Sequence, residues 1–314
     1  MKICFLYGGQ GSQKMGMGKD FYDNYPIFKD FYDSINLHFD LKEYSFEKSD
    51  EEIAQTQYTQ PIMVAFQIGI TKILNEKNIF PSIVGGLSIG EYSAFYASNI
   101  LTDKDAMKIA EKRGLAMAQN SKMKCKMMAI IGADETLVRN TCEEISEKGE
   151  YPVEISNLNC PGQIVIAGEE NAVDEVVSVL KENGVRKALA LKVSNAFHTS
   201  YMQSASEELE HIFKDIKFSE PIIPVGLNLD ASIYSQDIYD EDKCKQIMVK
   251  QVKNTVHFGK ELENIIKQDI DVFVEIGFSS VIKGFMKKVD PSKKVYEIYS
   301  VETLENFVKD MESL

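Results

Sequence analysis

The chain has 314 residues, 44% of them apolar and 26% charged, with a formal net charge of −13. Those proportions suit a globular protein that can bury a large core, as one large domain with an insertion or as two domains. The acidic balance argues against a general nucleic-acid binder, which needs clustered Lys and Arg, and no apolar run approaches the roughly 20 residues that span a bilayer.

Residues 3–7 read as a buried first strand, and the apolar run there is too short for a secretory leader. Gly8-Gly9-Gln10-Gly11-Ser12-Gln13 follows, with Gly16 and Gly18 soon after, which suggests a loop whose amides approach a ligand. It lacks both the G-K-[ST] ending and the G-x-G-x-x-G spacing, so a nucleotide reading is poor. Residues 20–55 are expected to be helical and polar, their acidic clusters forming solvated faces. Gln60-Pro61 is expected to open a helix, because proline suits a first turn, with Ile62, Phe66, Ile70, Ile73 and Leu74 as its apolar stripe.

The organising stretch is residues 83–94. A short β-branched run ends in glycines and a helical pattern begins directly after a serine, so Gly86-Leu87-Ser88-Ile89-Gly90 reads as G-x-S-x-G at a strand-to-helix turn. Flanking glycines permit the tight reversal that exposes a serine hydroxyl at a helix N-terminus, where free N–H groups can stabilise an oxyanion. A glycine-rich connection with an incidental serine is the plainer alternative.

Thr102 and Asp105 have capping-box spacing for a helix that runs to about Gln119. Arg113 shares the apolar face of that helix with Ala106, Ile109, Ala110 and Met117. A guanidinium there requires a partner, either an internal carboxylate or an acidic group of a substrate. The basic run Lys122-Met123-Lys124-Cys125-Lys126 reads as a linker. Beyond it the pattern is strand (127–132), helix (135–146), strand (153–157), strand (163–167), helix (172–182), strand (187–193), which is the ferredoxin-like β-α-β-β-α-β order. Asn159-Cys160-Pro161-Gly162-Gln163 is its central turn.

Ser194-Asn195-Ala196-Phe197-His198-Thr199-Ser200 then leads into a Glu-rich helix, which puts His198 on a turn from which it can reach a cleft. If Ser88 needs a base, His198 is the candidate, with a structural histidine as the alternative. His211 lies in an acidic helix, His257 precedes an amphipathic one, and His38 has no distinguishing context. The four histidines share no metal-ligand spacing, and Cys4, Cys125, Cys142, Cys160 and Cys244 form no C-x-x-C pair, so reduced thiols in a cytoplasmic protein and no metal site are expected. Strands at 272–277 and 295–299 and helices carrying Lys283, Lys287 and Lys288 and spanning 302–312 complete the chain. Apolar strands alternating with helices imply an α/β fold with a mainly parallel sheet covered on both faces.

Gly9-Gln10-Gly11-Ser12-Gln13, Gln60-Pro61, Gly86 to Ala94, Lys112-Arg113-Gly114, Asn159 to Gln163, Asn195 to His198, Gln251 and Glu275-Ile276-Gly277 occur here in one order along nearly the whole chain. That set resembles the malonyl-CoA:acyl carrier protein transacylases of fatty acid synthesis, and is similar to the acyltransferase domains of polyketide synthases. The resemblance implies a large α/β-hydrolase-like domain with a parallel sheet (1–125 and 197–314) and an inserted ferredoxin-like α+β subdomain (126–196). It implies Ser88 as nucleophile, His198 as base, the Gln251 carbonyl as orienter of that base, and the Gln10 and Ile89 N–H groups as oxyanion hole. Arg113 would hold the malonyl carboxylate, Phe197 resembles the malonyl-selective form of its motif, and Asn159 and Leu87 would complete the substrate site.

No metal or redox cofactor is implied, malonyl-CoA and the carrier protein being substrates. The expected partner is an acidic acyl carrier protein, docking on Arg186, Lys187, Lys283, Lys287 and Lys288, with the enzyme a monomer. Four positions depart from the family pattern: Leu87 for a usual histidine, Gly9 for a proline, Gly277-Phe278-Ser279 for Gly-Pro-Gly, and His257 for an aromatic residue. The rivals are a stand-alone polyketide acyltransferase with the same residues, a thioester hydrolase, and a carrier-binding module with a degenerate site.

Overall fold

The computed structural model describes residues 1–119, 123–193 and 195–313. Strand β1 (Ile3–Tyr7) is buried at every position; Ile3, Phe5 and Tyr7 join one core while Cys4 and Leu6 join another. Because side chains alternate across a strand, this unbroken apolar run places β1 inside a sheet covered on both faces.

Four short helices follow, α1 (Lys19–Asn24), α2 (Pro26–Ser34), α3 (Leu41–Phe46) and α4 (Asp50–Ile53). Their acidic residues meet solvent, but the segment is less polar than its composition suggests. Phe21, Phe28, Phe31 and Tyr32 are buried, and the Phe28 and Tyr32 rings stack with centroids 4.5 Å apart. Helix α5 (Thr56–Glu76) begins earlier than Pro61, which sits within it. The missing proline N–H removes one internal hydrogen bond, yet the helix continues because it is packed nearly all round, from Thr59 to Thr71.

Strand β2 (Ile83–Gly86) leads through Ser88 into α6 (Gly90–Ala97), and α7 (Asp103–Ala118) follows. Thr102 caps α7 by accepting the Asp105 N–H, and its hydroxyl donates to the Asp105 carboxylate. The expected linker is shorter than its charge run, since Cys125 and Lys126 already pair in β3 (Cys125–Ile131); Lys122 lies outside the described residues.

Next come α8 (Glu135–Lys148), β4 (Val153–Cys160), β5 (Gln163–Glu169), α9 (Glu170–Glu182) and β6 (Lys187–Ala190). These strands form an antiparallel sheet in the order β4-β5-β3-β6, the ferredoxin-like arrangement. Pro161 and Gly162, the latter at φ +73°, close the β4–β5 hairpin. β6 is shorter than expected because it pairs only with Met128–Ile131; Ser194, beyond it, lies outside the described residues. On one face of this sheet Ile130, Ile155, Ile164 and Ile166 pack with Val138, Val173 and Leu180 of α8 and α9. On the other, Met127, Ala129, Val165 and Ala167 join the large core.

After a 3-10 turn (Ser200–Met202) the chain returns as α10 (Gln203–Phe213), β7 (Val225–Gly226), β8 (Ile233–Tyr234), α11 (Glu241–Gln251), α12 (Phe258–Ile266), β9 (Val272–Ile276), α13 (Val281–Val289), β10 (Val295–Ile298) and α14 (Val301–Glu312). The large sheet runs β10-β9-β1-β2-β7-β8 and is parallel except for β8. With Tyr7 in register with Gly86, the loops leaving β1 and β2 emerge side by side at the carboxyl edge, where open α/β sheets bind ligands. No helix among the described residues is long and apolar enough to cross a membrane.

Candidate active site

The turn after β2 can be built only from its own sequence. A Cβ on Gly86 would lie 2.2 Å from the Gly90 carbonyl carbon, and one on Gly90 would lie 2.3 Å from the Tyr7 carbonyl oxygen. Both glycines therefore permit a backbone approach that any other residue would block. Ser88 takes φ +54°, a left-handed conformation unfavourable to a non-glycine residue by about 1 kcal/mol or more. Side chains from distant segments hold it there. The Ser88 N–H donates to Asn228 Oδ1 at 2.7 Å, and the Ser88 carbonyl accepts from Gln251 Nε2 at 3.0 Å.

His198, also left-handed at φ +60°, is fixed by its own N–H donating to the Val252 carbonyl at 3.1 Å. Its Nδ1 lies 2.8 Å from the Gln251 carbonyl oxygen and its Nε2 lies 2.7 Å from Ser88 Oγ. A carbonyl can only accept, so Nδ1 carries the proton and Nε2 presents a lone pair to the serine hydroxyl. Burial, and then the Arg113 charge, push the His198 pKa down from 6.5 to about 3, so the ring is neutral and able to act as a base.

Arg113 is fully buried. Nη1 donates to Gln60 Oε1 at 2.8 Å, and Nη2 donates to Gln251 Oε1 at 3.0 Å and to Ser88 Oγ at 3.1 Å. The guanidinium stands 5.5 Å over the Tyr92 ring, and among the described residues Nε has no partner. Among the described residues its hydrogen-bond partners are thus neutral amides and a hydroxyl, not an internal carboxylate. The cation is left with bonding capacity beside the serine. Gly114 lets α7 come this close to α5, for its Cβ position is 3.0 Å from the Thr56 carbonyl oxygen.

A cavity of about 280 Å³ opens over Ser88. Of the sequence-predicted site residues, Gln10, Leu87, Ser88, Ile89, Asn159, Phe197 and His198 line it. Arg113 and Gln251 stand behind Ser88, outside that lining, and reach the site through their hydrogen bonds. The remaining wall is largely apolar, with Met117, Met127, Val165, Leu191 and Phe285. Among the described residues neither the Gln10 nor the Ile89 N–H has an acceptor within the chain, and Asn159 Oδ1 is buried without a partner. Two of the departures noted above touch one another: a Cβ on Gly9 would lie 3.0 Å from both Leu87 Cγ and the Leu87 carbonyl oxygen.

The sequence reading missed Asn228, Glu91 and Glu261. Asn228 Nδ2 donates to the Gly86 carbonyl and to Glu261 Oε2, each at 2.7 Å, beneath the turn. Glu91 was visible as the residue closing Gly-x-Ser-x-Gly-Glu; Asn228, after a two-residue strand, carried no periodic signal. Glu275, the penultimate residue of β9, accepts the Ile282 and Lys283 N–H groups at 3.1 and 2.8 Å, capping α13. Of the expected docking cations, Arg186, Lys187, Lys287 and Lys288 are exposed, whereas Lys283 is bonded to Glu297.

The acyl transferase domain model matches residues 4–313 of the chain. The malonyl CoA-acyl carrier protein transacylase of Bacillus subtilis is 33% identical over 307 residues, covering 97% of this chain and 95% of that protein. The crystal structure of an MCAT from Streptococcus pneumoniae superposes with a TM-score of 0.91 at 36% identity, covering 98% of this chain and 100% of the other. A malonyl-transacylase solved in complex with a type II polyketide synthase acyl-carrier protein gives 0.93 at 29% identity, covering 99% and 100%.

Proposed function

The chain belongs to the acyl transferase domain family, and from that premise we infer how its residues divide the work of a malonyl transfer. The protein is an acyltransferase that moves a malonyl group from malonyl-CoA to the phosphopantetheine thiol of an acyl carrier protein. The observation that carries the assignment of roles is the convergence on one atom. Ser88 Oγ faces His198 Nε2 at 2.7 Å and Arg113 Nη2 at 3.1 Å, so nucleophile, base and cation meet there.

In the first half-reaction Ser88 Oγ attacks the thioester carbonyl and His198 Nε2 takes its proton. The oxyanion is held by the N–H groups of Gln10 and Ile89, each donor of this kind being worth about 3 kcal/mol of barrier. Collapse breaks the carbon–sulfur bond, and His198 returns the proton to the departing CoA thiol. In the second, the carrier's thiol gives its proton to His198 and attacks malonyl-Ser88; collapse then regenerates the Ser88 hydroxyl with that proton. Arg113 holds the free carboxylate of the malonyl group, exchanging its bond to Ser88 Oγ for a charge-assisted pair as the ester forms.

The cleft is assigned to the junction between the large portion, 1–125 with 197–314, and the subdomain, 126–196. Met127, Val165 and Leu191 from the subdomain side shield the ester from water. Phe197 closes the space a branched acyl chain would need, while Asn159 and Leu87 border the path of the substrate. The mechanism draws on no metal or redox cofactor, and the protein acts as a cytoplasmic monomer.

An acidic carrier docks on Arg186, Lys187, Lys287 and Lys288. What supports this grouping is that Lys187, Ile131, Gln163 and Cys160 pair in one row at a single end of the small sheet, and that Lys288 of α13 lies close enough to Cys160 for its charge to act on that thiol. Extender-unit supply for fatty acid synthesis is the assigned use. A stand-alone polyketide acyltransferase is the second reading, since one similar structure holds a polyketide carrier.

Initial rates with malonyl-CoA and carrier both varied test the assignment. Parallel double-reciprocal lines are expected for a covalent relay, and intersecting lines would reject it.

A further inference from the structure

Glu91 is buried three residues after the nucleophile, in the first turn of α6, and takes no part in the proton path just described. Its Oε1 accepts the Asn228 N–H at 2.8 Å and its Oε2 accepts from Gln251 Nε2 at 2.6 Å. Burial raises its pKa to about 8, opposed by these two donors and by the Arg113 charge, and the ionised form above that pH is the one in which both oxygens accept. A carboxylate in such a place is expensive unless its acceptors have a use.

That use appears when the hydrogens of the Gln251 amide are followed. One goes to Glu91 Oε2 and the other to the Ser88 carbonyl, which leaves Oε1 facing Arg113 Nη2 at 3.0 Å. Turned over, the amide would set its oxygen against two acceptors and its N–H groups against the guanidinium. Glu91, together with the Ser88 carbonyl and the guanidinium, therefore excludes the wrong orientation of Gln251. Asn228, whose N–H occupies the other Glu91 oxygen, in turn accepts the Ser88 N–H through Oδ1.

We propose that Glu91 is a positioning residue: its two oxygens fix the Gln251 amide and the Asn228 backbone, and through Gln251 they aim the Arg113 guanidinium at the acyl group on Ser88. The inference rests on the reading of Arg113 as the malonyl-carboxylate clamp. A glutamine at 91 offers one acceptor and one donor, so it cannot serve both partners. Either Gln251 then turns its N–H groups toward Arg113, or the Asn228 N–H loses its acceptor.

The test compares kcat/KM for malonyl-CoA and acetyl-CoA in wild type, Glu91→Gln, Gln251→Met and the double variant, with melting temperatures alongside. Glu91→Gln is expected to lower the malonyl-to-acetyl ratio about tenfold. In the Gln251→Met background, where no amide remains to be oriented, Glu91→Gln should leave the ratio unchanged. Glu91→Asp, which keeps both acceptor oxygens, should retain part or all of the preference, and Glu91→Ala, which has no acceptor, carries the comparison with wild type if Glu91→Gln does not fold. A merely structural role would lower both substrates alike and leave the ratio intact. That outcome, an unchanged ratio in Glu91→Ala when it carries the comparison, or the same fall in ratio with and without Gln251, would overturn the inference while leaving the clamp in place. A wild type without malonyl preference would overturn the clamp reading, and this inference with it.

Discussion

Replacing His198 with asparagine should make the protein less sensitive to mild acid. Burial and Arg113 hold the His198 pKa at about 3, whereas the unfolded chain titrates near 6.5. Between those values the unfolded state binds a proton that the folded state refuses, so stability is full above about pH 6.5 and is lost as the pH falls toward 3. At about 1.4 kcal/mol per pH unit, this one ring removes about 2 kcal/mol on going from pH 7 to pH 5. Asparagine tolerates the left-handed backbone at position 198 and cannot titrate. Urea unfolding followed by circular dichroism at the two pH values reads the difference. The wild type should lose about 2 kcal/mol more than His198→Asn over that interval. Equal losses in the two proteins would refute a depressed His198 pKa. The same shift keeps Nε2 unprotonated in acylation, so kcat/KM for malonyl-CoA should lack the roughly 25-fold fall between pH 7 and 5 that an ordinary histidine base would impose.

Arg113→Ala should reduce malonyl transfer about 100-fold while acetyl transfer changes little, and, with its charge gone, should move the acidic limb of the rate profile upward; equal effects on both acyl groups would reject the clamp. Gly86→Ala places a Cβ 2.2 Å from the Gly90 backbone, so acylation should be abolished even in any folded fraction isolated by gel filtration. Reversing Lys287 and Lys288 to glutamate should raise the KM for the carrier several-fold and leave the CoA half-reaction unchanged; an unaltered KM would exclude α13 from the docking surface.

Much of the site was legible because the chemistry sits in short local patterns. Gly86 to Gly90 states its own turn, and the apolar face of α7 exposes the anomaly of Arg113. The β-α-β-β-α-β order of the small sheet followed from strand and helix periods alone. What stayed hidden depends on contacts across the chain. Asn228 reaches Ser88 over 140 residues, and β7 and β8 have two residues each, too few to show a period. Pro61 misled because a helix packed on nearly every side overrides the local preference for a start at proline. The aromatic cluster of α1 and α2 was masked by acidic residues on the outer faces of the same short helices.

The central claim is a malonyl ester on Ser88 that is passed to a carrier thiol. Intact-protein mass after brief exposure to malonyl-CoA, in wild type and Ser88→Ala, followed by addition of phosphopantetheinylated carrier, tests it most directly. A malonyl adduct on the wild type alone, transferred to the carrier when it is added, is the predicted result. An adduct that forms on Ser88→Ala, or one lost to water as fast without carrier as with it, would contradict the account.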